Sequence, residues 1–123
     1  MSASQTSAFR SLDVFGALPT PATLVDTEGL IVDVNDAHLQ YAARHGFPFR
    51  REDRIGCSVL DFARSDRALA QMEDLLRTIG GGHASQHRES ITDTTGRQHH
   101  AQIDGCPLFD RAGTIAGGLI VRE

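Results

Sequence analysis

The chain has 123 residues, of which 40% are hydrophobic and 23% charged, and its formal net charge is −4. That is a single domain with enough residues for one core. The composition excludes a disordered or fibrous chain and lacks the basic footprint that nucleic-acid binding requires. No apolar run approaches the roughly 20 residues of a membrane helix, and no leader pattern opens the chain. A cytoplasmic protein whose Cys57 and Cys106 stay reduced is therefore expected.

Residues 1–7 are small and polar and read as a disordered terminus. Phe9, Leu12 and Phe15 then recur at three-residue steps, a narrow apolar stripe on a short helix over residues 8–17. Such a stripe needs a cover, either the domain's own sheet or a second copy of the chain. Dimerisation through Phe9, Leu12 and Phe15 is the favoured reading. Pro19 and Pro21 force an extended entry into a strand over 22–26, Gly29 supplies the turn, and a second strand follows over 30–34. In that second strand Leu30, Val32 and Val34 alternate with Ile31 and Asp33.

Asn35 suits a helix N-cap and Asp36 the positive end of the helix behind it, which runs to about His45 and stops at Gly46. Residues 50–62 read as irregular, with two single helical turns. Ser65 caps a longer helix carrying Leu69, Met72, Leu75, Leu76 and Ile79 on one face, and Gly80, Gly81 and Gly82 end it. The last third is β in character. Strands over 83–93 and 97–109 flank the loop Thr94-Thr95-Gly96, and a final strand follows over 114–122. Two strands, a block of short helices and three more strands imply an α+β domain, an antiparallel sheet with helices on one face.

The three-residue loop sets a register in which Ile91 opposes His99, Glu89 opposes Ala101 and His87 opposes Ile103. One face then holds His87, Glu89, Ile91, His99, Ala101, Ile103 and Gly105; the other, with Arg88, Ser90, Thr92, His100, Gln102 and Asp104, is almost wholly polar. The first must be the inner face, because only it has apolar groups to bury. A buried carboxylate there has to be paired. Either Glu89, His87 and His99 line a polar ligand pocket, or Glu89 pairs with a histidine or arginine at the sheet edge and binds nothing. The candidate ligand-binding set is His87, Glu89, Ile91, His99, Ala101 and Ile103, with Thr23 and Val25 from the first strand.

The segment P-T-P-A-T-L-V-D-T-E-G-L-I-V-D-V-N (residues 19–35) resembles the opening hairpin of the Per–Arnt–Sim (PAS) family. Ile55-Gly56 resembles the family's step into its short middle helices. Thr95-Gly96, followed by Pro107-Leu108-Phe109-Asp110 and Gly113, resembles its last hairpin and final strand. The resemblance covers roughly residues 8–122 and implies a five-stranded antiparallel sheet whose inner face, under short helices, forms a pocket. It makes residues 18–123 a PAS-like sensor domain behind a flanking helix. It also implies a bacterial-type signalling or transcription-regulating module, homodimeric, serving a histidine kinase, cyclase or transcription regulator effector outside this chain.

The resemblance does not bring the family's covalent chemistry with it. In the light-sensing branch a cysteine stands three residues after the middle glycine; here Val59 stands there and Cys57 is one step after Gly56. The axial histidine of haem-binding members has no counterpart on the helix over 66–79, where Met72 reads as core filler. His83 and His87 on one strand would lie about 13 Å apart, too far for one ion. No cofactor, haem, flavin or metal is expected. No catalytic motif occurs, so the chain reads as no enzyme. The alternatives left open are a ligand-free dimerisation module and a small α+β enzyme using Glu89 and His99 as base and acid.

Overall fold

A computed structural model describes residues 15–92 and 94–123, and Ile91 by its backbone alone. Strands β1 (Ala22–Asp26) and β2 (Ile31–Val34) precede helix α1 (Asp36–Arg44). Two 3-10 turns follow (Arg51–Asp53 and Val59–Phe62), then helix α2 (Asp66–Gly80) and strands β3 (Ser85–Thr92), β4 (Gln98–Phe109) and β5 (Ile115–Arg122). The five strands form one antiparallel sheet in the order β2-β1-β5-β4-β3. The core lies between the sheet and the helical layer, built from Val25, Ile31, Val34, Leu75, Ile79, Ile103 and Ile120.

The expected register of the late hairpin is the observed one: Ile91 pairs with His99, Glu89 with Ala101 and His87 with Ile103. Ala101 and Ile103 are buried, while Arg88, Ser90 and His100 face water. Gly96 takes the positive φ the turn requires, +83°. On the inner face Gly105 lets α2 approach: a Cβ there would sit 2.9 Å from Leu75, and one at Gly118 would collide with Ile79. The absence of side chains at these two positions seats the helix directly on the β4–β5 backbone.

The first hairpin departs from simple alternation. Thr23 pairs with Val34 and Leu24 with Asp33, but Val25 pairs with Ile31, which leaves Val32 as the extra residue of a bulge. Ile31 and Val34 therefore both point inward, 4% and 1% exposed, while Val32 is 43% exposed. Leu30 falls outside the strand and bridges to Ser58 instead. The other edge of β2 is covered by residues 56–59, through Ile31 N–H to Cys57 O (2.8 Å) and Gly56 N–H to Ile31 O (2.8 Å). That pairing blunts the sheet edge and holds the middle segment over the core. Cys57 and Cys106 are free thiols.

Asn35 is the N-cap of α1 and is fully buried. Its Oδ1 accepts from the Ala22 N–H (3.0 Å) and the His38 N–H (2.9 Å). Its Nδ2 donates to Thr20 O (2.8 Å) and Leu18 O (3.4 Å). Of the stripe residues, Phe15 closes a helical turn over 15–17 and is 5% exposed within its own chain; Phe9 and Leu12, like the disordered terminus expected over 1–7, lie outside the described residues. Among the described residues no helix is long and apolar enough to cross a membrane.

Asn35→Ala removes the cap and strands the buried Ala22 N–H, and should lower stability by roughly 2–4 kcal/mol in urea unfolding. Asn35→Asp keeps an oxygen to accept both N–H bonds but sets a buried carboxylate against two carbonyl oxygens. That raises its folded-state pKa, so its deficit relative to wild type should be large at pH 7.5 and shrink on acidification to pH 5. A deficit independent of pH would show that the two donor bonds contribute little.

Candidate ligand pocket

Beneath the helical layer lies a cavity of about 120 Å³. Its floor is the inner sheet face, with Thr23, Ile31, Val34, Glu89, Ile103, Ile120 and Arg122; its walls are α1 (His38, Tyr41, Ala42), the middle segment (Phe49, Arg54, Val59, Phe62, Ala63, Arg64) and α2 (Ala68, Gln71, Met72, Leu75). Of the eight residues expected from the sequence, His87, Glu89, Ile103 and Thr23 line it. Val25 is instead packed in the core at 2% exposure. Ala101 borders a neighbouring shallow groove beside α2, which Glu89 also reaches. His99 is turned toward α1, its ring 4.3 Å from that of His45. The side chain of Ile91 is outside the described residues.

Glu89 receives a hydrogen bond from Arg122 Nη2 at 3.1 Å, and the two side chains are 15% and 21% exposed. Glu89 thus has an arginine partner and lines the cavity at once, but that partner stands at the end of the central strand and not on an edge strand. Its partner is Arg122 on β5, not His99. His87 Nε2 lies 3.2 Å from Asp74 Oδ2 on α2, out of line for a hydrogen bond and ionic only when the imidazole is protonated. Among the described residues no three His, Cys, Asp or Glu side chains converge on a possible metal site.

Sequence reasoning missed the arginine and aromatic half of the site. The Arg54 guanidinium is sandwiched between Phe49 and Phe62, 3.8 and 3.6 Å from their ring centroids, and Arg64 lies 3.2 Å over Phe47. Stacking of this kind favours arginine over lysine because the guanidinium is planar and weakly hydrated. Burial pushes the Arg54 guanidinium below its ordinary value, with the positive charges of Arg64 and Arg122 adding to it. Arg64 is lowered by burial and by Arg122. Burial raises the Tyr41 phenol, which therefore stays protonated at neutral pH and can donate. Burial, then Arg122 and Arg54, lower His38 from 6.5 to about 4. A neutral imidazole results, with Nδ1 3.4 Å from Thr23 Oγ1 and its ring edge-on to Phe49.

A five-stranded antiparallel sheet that closes a small mixed-polarity cavity under short helices defines the class. A family profile described as the PAS fold matches residues 15–123. The chain belongs to the PAS family. No curated protein matches it. Among solved structures it is similar to the PAS domain of a Colwellia psychrerythraea protein, at 12% identity and a TM-score of 0.71, covering 99% of this chain and 96% of that one. It is similar to VqmA of Vibrio cholerae in its ligand and DNA complex, at 22% identity and a TM-score of 0.69, over 100% of this chain and 50% of that one. It is also similar to the PAS domain, in complex with ethanol, of a LuxR-family transcriptional regulator from Burkholderia thailandensis. That match has 22% identity and a TM-score of 0.59, and covers 92% of this chain and 95% of that one.

Protonation of His38 should be felt as pH-dependent stability. Its folded-state pKa lies below the unfolded 6.5, so the unfolded chain binds the proton first. Stability is full above about 6.5 and falls as pH drops toward about 4, by up to roughly 3 kcal/mol. His38→Gln should remove that part of the slope, read as the difference between wild-type and variant urea midpoints at pH 7 and 4.5. Identical slopes would mean His38 is no more buried when charged than when unfolded.

Proposed function

We propose that the chain is the sensory module of a signalling or transcription-regulating protein and that its cavity takes a small molecule without covalent chemistry. The observation that carries the reading is the convergence of polar donors on a preformed, mostly apolar cavity: the Tyr41 phenol, the Arg54 and Arg64 guanidiniums and Arg122. Pockets with an apolar lining and a few convergent polar groups are the usual small-molecule sites. The volume is close to that of an engineered cavity of about 150 Å³ that holds benzene, so the occupant is of roughly that size. The ligand and ethanol complexes of the two structural neighbours support the same reading.

Four elements meet at the cavity: the sheet, α1, the middle segment and α2. A ligand that fits one arrangement of them better than another shifts their population, and that shift is the signal. The receiver is an effector of the kinase, cyclase or transcription-regulator type, and the module acts as a homodimer in the cytoplasm. Because Phe15 is buried in its own domain, Phe9 and Leu12 are the stripe residues left to pair with a second copy.

Native mass spectrometry of purified protein should show an additional small mass that denaturation releases. Ala42→Leu, which fills the cavity from α1, should abolish both that mass and any thermal stabilisation by added ligand while the domain remains folded. An occupant retained in Ala42→Leu would move the site elsewhere. Phe9→Glu with Leu12→Glu should convert dimer to monomer in sedimentation; an unchanged mass would remove the flanking helix from the interface.

A further inference from the structure

We propose that the cavity selects a small carboxylate with an apolar body, its head held by Arg54 and Arg64 and its body laid on the sheet. This rests on the cavity being a ligand site. The first argument is a charge count. Arg54, Arg64 and Arg122 surround the cavity, and the carboxylate among its lining residues, Glu89, is held by Arg122. His38 is neutral at pH 7 and offsets nothing. Two guanidiniums are left without an ion-pair partner at the mouth and wall, and the positive charges of Arg64 and Arg122 both bear on Arg54.

The second argument is geometric. Phe49 and Phe62 cover both faces of Arg54, and Phe47 covers one face of Arg64. Stacking uses the faces of a guanidinium and leaves its in-plane N–H donors for an acceptor, the arrangement that matches a carboxylate edge-on. Among the described residues the Arg54 and Arg64 guanidiniums meet no carboxylate, and the buried Arg122 Nε–H meets no acceptor at all. Arg54, half-buried, forms the wall, and Arg64, exposed, the rim. The aromatic clamp also fixes the guanidinium plane before a ligand arrives, so less freedom is lost on binding.

The third argument concerns the rest of the ligand. Ile31, Val34, Met72, Leu75, Ile103 and Ile120 line the deep side of the cavity. A bare inorganic anion would leave that apolar surface unfilled. A cation would meet three guanidiniums and a carboxylate already neutralised. A neutral molecule would leave Arg54 desolvated without a partner. A carboxylate on an aliphatic or aromatic body satisfies both halves.

The test uses the full chain and isothermal titration with benzoate and isovalerate, their neutral isosteres benzamide and isovaleramide, and inorganic phosphate. At least one acid should bind ten-fold or more tighter than its amide, weaken with added NaCl, and exceed phosphate. Arg54→Gln and Arg64→Gln, the second at an exposed rim position that should not disturb folding, should each reduce acid binding several-fold and narrow the ratio of acid to amide affinity. Amide binding equal to the acid, acid binding unaltered in both variants, or phosphate binding tighter than either acid would overturn the inference. A neutral molecule found in the native mass spectrum would overturn it too, while leaving the ligand-site reading intact. An empty cavity that binds neither series would end both.

Discussion

The position of the whole helical layer depends on one buried amide. Asn35 begins α1, and its Oδ1 holds the first turn of that helix and the first N–H of β1 at once, while its Nδ2 gathers the chain that enters β1. An amide satisfies this site because it offers two lone pairs and two N–H bonds in one plane; neither a carboxylate nor a hydroxyl has that inventory. The consequence reaches the cavity. With the helix start tied to the sheet, the rotation of α1 is set, and His38, Tyr41 and Ala42 face the floor. Arg51 adds to the same junction through Val34 O at 3.1 Å and Asp36 at 2.8 Å.

A second constraint is charge on a surface that is otherwise oily. Placing Glu89 on β3 and Arg122 on β5, on the same inner face with β4 between them, would be strongly unfavourable if either stood alone. Together, at 3.1 Å and still partly wetted, they form a polar margin to the core. That margin divides the space under α2: Leu75 and Ile79 seal onto Gly105 and Gly118 on one side, and the cavity opens on the other. The glycines and the ion pair thus act together. The first draw the helix down, and the second prevents the collapse from continuing to the sheet edge.

How much of this could be read in the residues follows from how local each determinant is. The late hairpin was legible because a three-residue loop with Gly96 admits one register, and its two faces differ sharply in polarity. Asn35 and Ser65 were legible as caps because capping is written within three residues. The bulge at Val32 was not, since strict alternation in 30–34 fits either face and the shift is imposed by pairing with β1 and with residues 56–59. The arginine cluster was invisible for a related reason. Arg54, Arg64 and Arg122 are far apart in the chain, sit among twelve arginines and carry no periodicity. Only the sheet order, which brings the end of β5 beside β4 and β1, places the last of them against the first two. His99 lies on the expected face but at the end of the hairpin, where it meets His45, itself a lining residue, and does not line the cavity.

The middle segment is where these constraints leave freedom. Neither 3-10 turn contains a fully buried residue, and the segment is held by its backbone pairing with β2, by Arg51 and by the half-buried Phe49, Val59 and Phe62. Such elements sit at the low end of local stability. Yet this segment carries Phe49, Arg54, Phe62 and Arg64, which line the cavity. A ligand engaging Arg54 would draw together a loosely held loop and a rigidly held floor, and the stack of Phe49, Arg54 and Phe62 would move as one unit because its members cover each other. Since the same loop pairs with the outer edge of β2, any displacement is delivered to the sheet at the end remote from β3. The segment that would engage such a ligand is thereby the one whose position would be felt at the sheet margin.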